Sequence, residues 1–401
     1  MKKLLMLISM ALIAGVALIS CEDEGATIYD VTVQVNFPEM EGLDIPDFSG
    51  VEVRMINNLT GIESAAETNA QGVADFAVEE GNYDISATYS TENYNFSGIE
   101  SNRSVESEIT FEVNLIATAV GGGLLFSEIY HTGSENPEGS NYSGDSFVEI
   151  YNNSDEVIYL DGLCVGQLDH FTSRESRWLD NGELYERLPI TWQTWMIPGS
   201  GEDHPLEPRE SVVIAQTAIN HRDDPAGNPL SPVDLSNAHF ETFMDNDRGD
   251  VDNPNVTNMI LVYNAVSPVV PDWILDVRGA PMLIFRLPTG TDYESFVADP
   301  DNFMQRLDGV GSFEYLMVDP DWVVDAVEIA RPGDVVHKGL PAELDAGYVM
   351  TEAGSGAGTS IRRVVEAIVD GNVVYKNTNN SSQDWISDWI PTPFEHPTSV
   401  D

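Results

Sequence analysis

Leu124-Leu-Phe-Ser-Glu-Ile-Tyr-His131 and, after a polar loop, Gly144-Asp-Ser-Phe-Val-Glu-Ile-Tyr-Asn-Asn153 are the segments that decide the fold. Apolar and polar residues alternate in both, the period of a half-buried antiparallel sheet. A turn at Asn152-Asn153-Ser154-Asp155 and a third predicted strand, Val157 to Leu160, complete the unit. The same period runs upstream through Val31–Phe37, Gly50–Ile56, Val73–Val78, Gly81–Tyr89 and Ser107–Leu115, with turn residues between them. An all-β chain of two β-sandwich domains with a few short helices is therefore expected, one domain over 29–118 and a larger one over 124–401. Gly121-Gly122-Gly123 marks a hinge over 119–123. Helical spacing with a capping Asp or Asn predicts short helices at Asp292–Val297 and Asn302–Leu307, and Pro320 opens a turn before a strand.

Lys2-Lys3 followed by the apolar run Leu4 to Ile19 reads as an export signal over residues 1–20. Leu18-Ile19-Ser20-Cys21 resembles the lipobox of bacterial lipoproteins, which makes Cys21 the expected lipidation site and lipid the expected membrane anchor. Glu22-Asp23-Glu24 open an acidic tether over 21–28 and resemble the surface-export signal of Bacteroidetes-type lipoproteins. The resemblance implies an outer-membrane protein facing the cell exterior. Cys164 is the one other cysteine, in the apolar run Leu163-Cys164-Val165, so the mature chain has no internal disulfide and Cys164 reads as a small hydrophobe.

The 401 residues hold 67 acidic against 18 basic side chains, a net charge of −49 that becomes −51 once Lys2 and Lys3 are lost. So acidic a surface repels nucleic acid and anionic headgroups, which excludes them as partners. Acid excess with only Lys338 and Lys376 left as lysines suits a surface that salt screens, the expectation for a saline source.

Family resemblance sharpens the two domains. Glu67–Phe76 with Glu80–Ile85 is similar to transthyretin-like, carboxypeptidase-regulatory-like modules, which implies a spacer or adhesion unit. Glu128 and Glu149, Ser154–Gly162, Leu206–Ala215, Ser360-Ile-Arg-Arg363 and Asn377–Trp385 resemble successive motifs of the lamin-tail fold, an immunoglobulin-like sandwich. Arg209 stands where that fold has Gly. The excess length falls near 166–206 and 216–280 and reads as insertions, where loops on a β-scaffold tend to carry function. The layout resembles an uncharacterised family of Bacteroidetes lipoproteins, implying a partner such as a TonB-dependent outer-membrane transporter.

Four constellations invite chemistry. Gly144-Asp-Ser-Phe147 looks like the nucleophile block of certain esterases, but no parallel α/β pattern surrounds Ser146 and no histidine follows in the required place. The seven histidines show no metal-ligand spacing, and His204, His221 and His239, all in the insertions, read as exposed loop residues. Asp245, Asp247, Asp250 and Asp252 offer closely spaced oxygens and make structural Ca²⁺ the one candidate cofactor, although the EF-hand order is broken. Trp192 and Trp195 form the candidate ligand surface within an insertion. The sequence reading is thus a non-catalytic binding or assembly protein. A polymer hydrolase with its site in 166–280 is the alternative, requiring titratable groups that line a cleft, and a plain spacer is a second.

Overall fold

The computed structural model describes residues 27–38, 47–91, 94–119, 123–245, 250–265, 272–331 and 335–401. The signal, Cys21, Glu22, Asp23 and Glu24 lie outside those residues, as do Gly121 and Gly122 of the hinge and Asp247 of the acidic loop.

The N-terminal unit is a sandwich of two sheets. Ile28–Asn36 lies between an antiparallel partner, Val73–Glu79, and a parallel one, Ile109–Asn114. The facing sheet runs Glu63–Glu67, Glu52–Asn57, Gly81–Ser90, Tyr94–Val105, Ile116–Ala119, all antiparallel. Alternation puts Val31, Val33 and Val35 against Val53, Met55, Ile85 and Phe96 in one core. Tyr94–Val105 escapes sequence pattern because polar residues and Gly98 interrupt it. The glycine is there for contact: a Cβ on Gly98 would sit 2.4 Å from the Asn114 carbonyl oxygen.

The larger unit stacks two further sheets. One runs Thr257–Asn258, Phe240–Glu241, Ser211–Ala215, Phe147–Asn152, Leu124–Tyr130, Ser360–Arg363, Trp385–Trp389. The other runs Phe303–Met304, Tyr315–Val318, Leu188–Met196, Leu163–Leu168, Met282–Arg286, Val323–Val327, with Ile260–Asn264 also on Leu188–Met196. Phe126, Ile129, Val148, Ile150, Val165, Trp195, Ile284 and Val327 fill the space between them. Cys164 is buried in the second sheet, where desolvation raises its thiol to about 12.

Several expectations are corrected. Leu124–Tyr130 and Phe147–Asn152 are buried at every position, so the half-buried reading fails. Their second face is covered by Val365, Val373 and Tyr375 at one end and by Val233 and Leu235 at the other. The third strand is only Ile158–Tyr159, and it pairs with Pro205–Leu206. Residues 166–206, read as an insertion, supply the strand Leu188–Met196 inside the second sheet. The helix Tyr293–Ala298 forms with Asp292 accepting from the Ser295 amide as its N-cap. The predicted helix at 302–307 does not form, because Phe303 and Met304 pair with Leu316 and Tyr315 as strand. No helix among the described residues is long and apolar enough to cross a membrane.

Candidate functional site: an acidic pocket in the inserted loops

Trp195 does not form a ligand surface. It is fully buried in the main core. Trp192 adopts φ +54° within the strand Leu188–Met196, where the pairing register with Leu163–Leu168 shifts, and is half-buried. Trp178 and Trp273 are buried too. The inserted loops thus expose no aromatic platform among their described residues. What they build instead is a pocket.

That pocket, of about 340 Å³, forms where two loops leave neighbouring strands of the first sheet. Asn141 to Gly144 precede Phe147–Asn152, and Gln216 and Thr217 follow Ser211–Ala215. Ala226, Asp250, Val251 and Asp272 from the inserted region close it. Its back wall is pinned by hydrogen bonds. The Gln216 amide nitrogen donates to Asp272 Oδ2 at 2.7 Å, and Trp273 N–H donates to Asp272 Oδ1 at 2.6 Å. Asp250 accepts from the amides of Met244 and Val251 at 2.7 and 2.8 Å. Burial, with the charge of Asp250 adding to it, raises Asp272 to about 7. Burial likewise raises Asp250.

Tyr142 forms the opposite wall. Its hydroxyl lies 2.9 Å from His221 Nδ1, while His221 Nε2 lies 3.0 Å from the Thr217 carbonyl oxygen. A carbonyl can only accept, so Nε2 carries the proton and Nδ1 accepts from Tyr142. His221 is fully buried, against the sequence expectation, and desolvation holds it near 4 and therefore neutral. Beneath the loop, Asp145 Oδ2 accepts from Ser134 and Ser231 at 2.6 and 2.7 Å, tying the insertion to the sandwich. Ser146 Oγ is buried with no hydrogen-bond partner among the described residues, so no histidine there serves it as a base.

The remaining sequence candidates stay apart. His204 packs on Phe240, and His239 accepts from the Val213 amide. Asp245 is exposed, while Asp252 accepts from Asn258. Among the described residues, no group of three or more His, Cys, Asp or Glu side chains is placed to hold a metal ion. Two larger cavities, of about 660 and 360 Å³, lie where the two sandwiches meet. A hydrogen bond from Gln383 to Thr88 crosses this junction at 3.2 Å.

Residues 207–392 match the family described as "Protein of unknown function (DUF4876)". The DUF4876 match begins within the larger sandwich, so it takes in Gln216, Asp250 and Asp272 but leaves out Tyr142 and the strands Leu124–Tyr130 and Phe147–Asn152. A crystal structure of a DUF4876 family protein from Bacteroides thetaiotaomicron resembles the chain, with 26% identity and a TM-score of 0.61. The likeness covers 93% of this chain and 98% of that one. No curated protein matches the chain.

Sequence reasoning misses this site because Tyr142, Gln216 and Asp272 are far apart in the chain and share no motif. Asp250 alone carries a sequence signal, and in a different partnership. The usable clue is where the insertions begin and end.

Proposed function

We propose that this protein is a lipid-anchored envelope protein, displayed at the cell surface through Cys21, that binds a ligand in the acidic pocket without catalysing a reaction. The state of His221 carries the non-catalytic part of the reading. The one histidine hydrogen-bonded to the pocket wall commits both ring nitrogens to Tyr142 and Thr217 and is neutral, so it offers no general base. The lipobox-like end of the signal and the acidic run after it support the anchor and the outward orientation. Lamin-tail-like motifs at both ends of the larger sandwich support a sandwich scaffold, on which long loops tend to carry the binding.

Cys21→Ala is expected to move the protein from the membrane to the soluble fraction, measured by fractionation and by protease shaving of intact cells. A membrane-bound Cys21→Ala protein would defeat the anchor. Affinity capture from intact membranes is expected to retain an envelope component that Asp272→Asn loses at least tenfold. A second reading, hydrolysis of a polymer, is favoured by one observation: two neighbouring carboxylates, Asp250 and Asp272, both raised and in one pocket. Turnover of a surface polymer that Asp272→Asn abolishes would replace the binding reading with this one.

A further inference from the structure

Among the described residues, the pocket has carboxylates but no cation of its own. Neither lysine nor arginine is among its lining residues. Asp250 and Asp272 repel each other, and every donor they accept from among the described residues is a neutral amide. Each carboxylate oxygen accepts one such bond and has room for another. Gln216 adds an independent sign. It is 3% exposed, its NH₂ donates once to Asp272, and its Oε1 is buried with no hydrogen-bond partner among the described residues. A buried acceptor left alone is costly, and a donor that reached it would offset that cost. Tyr142 contributes an aromatic wall whose hydroxyl proton is already given to His221.

Two acidic side chains, an orphan amide oxygen and an aromatic ring thus all ask for the same complement, a positively charged group with several N–H donors. An ammonium supplies three and a guanidinium five, and both are drawn to aromatic faces. A bare metal ion fits less well. A cavity of about 340 Å³ far exceeds an ion, and calcium needs roughly six to eight converging oxygens.

We infer that the pocket formed by Tyr142, Gln216, Asp250 and Asp272 binds an organic cation, an ammonium or guanidinium group. This rests on the binding reading and names the chemistry of its ligand. The cation could belong to a free solute or to a basic side chain of a protein, and the test separates the two.

Titration calorimetry on the mature protein in 0.5 M NaCl would use argininamide and spermidine as free cations, a Gly-Arg-Gly peptide as the side-chain source, and CaCl₂. One saturable site for argininamide or spermidine, weakened at least tenfold by Asp272→Asn and unchanged by the exposed-surface variant Glu202→Gln, is expected for a solute. Saturable binding of the peptide alone, with the same dependence on Asp272, is expected for a protein partner. Circular dichroism checks that the variants fold. If Asp272→Asn does not, Gln216→Leu removes the orphan acceptor and carries the same expectation. No saturable binding of any organic cation, equal loss in Glu202→Gln, or binding of Ca²⁺ alone would overturn the inference. If organic cations fail while capture of an envelope component still depends on Asp272, the ligand class is wrong and the binding reading stands. If neither depends on Asp272, both fall.

Discussion

Replacing Arg363 with Met is expected to destabilise the protein by roughly 3–5 kcal/mol, the scale for removing one partner from a buried charge cluster. Arg363 is 1% exposed and donates to Asp325 at 2.7 Å, to the Phe126 carbonyl at 2.8 Å, and to the Lys376 carbonyl at 3.2 Å. Asp384 lies 3.7 Å away, and the Trp385 ring stacks under the guanidinium at 4.7 Å. Asp325 belongs to Val323–Val327 of one sheet and Arg363 to Ser360–Arg363 of the other, so the pair ties the two layers of the larger sandwich together. Without the arginine, two fully buried carboxylates remain. Burial already raises Asp384 to about 6, with Arg363 holding it down. Urea denaturation at pH 7 measures the loss. Part of it should return at pH 5, where protons can neutralise the stranded acids. A midpoint within experimental error of wild type would refute the cluster as a support of the fold.

Glu149→Gln is expected to raise stability at pH 9 by roughly 3–5 kcal/mol, taking about 1.4 kcal/mol for each pH unit by which burial displaces the carboxyl and discounting for the pair. Glu149 faces Glu128 directly across the antiparallel pair Leu124–Tyr130 and Phe147–Asn152, a placement that like charges disfavour. Burial raises Glu149 to about 8 and Glu128 to about 7. Both folded values exceed the ordinary 4.5, so the folded state holds protons that the unfolded chain releases. Their contribution is intact below about pH 4.5 and is lost as pH rises through about 8. The variant should therefore lose less stability between pH 5 and pH 9 than the wild type, as read from urea midpoints. Buried His131, His221 and His396, all lowered to about 4, act on the acid side instead and cancel when the two proteins are compared at one pH. Identical pH profiles would show that the pair is not titrating as described.

The same pair shows where sequence stops. Glu128 and Glu149 were legible as markers of a sandwich, but what covers them was not. The chain's last residues do. Thr392 donates its amide to Glu128 at 3.1 Å, and Ser211 donates to Glu149 at 2.7 Å while its oxygen lies 3.1 Å from His396 Nε2. Tyr375 reaches the other ring nitrogen of His396 at 3.0 Å. Asp401 accepts from Arg362 at 2.6 Å. Nothing in Pro391-Thr-Pro393 or the residues after it has a period to read, because an irregular strap is held by individual polar contacts and not by a repeating face. The pocket was hidden for a related reason, since its walls come from loops joined only by the sheet beneath them.

By itself the sequence determined that the chain is all-β, that two sandwiches follow one another, and that Val31–Val35, Val53–Met55 and Leu124–Ile129 point apolar residues into cores. Period-2 alternation is local and survives in any fold that buries one face. Only the tertiary structure decided that Leu124–Tyr130 would be covered on both faces, that Trp195 would be core and Arg363 a tie between sheets, and that Gln216, Asp250 and Asp272 would meet. Those outcomes depend on contacts between residues far apart in the chain or on loops without periodicity. Burial then sets the charge states: an aspartate in a chain of 67 acids is unremarkable until desolvation and one neighbour give it a chemistry of its own.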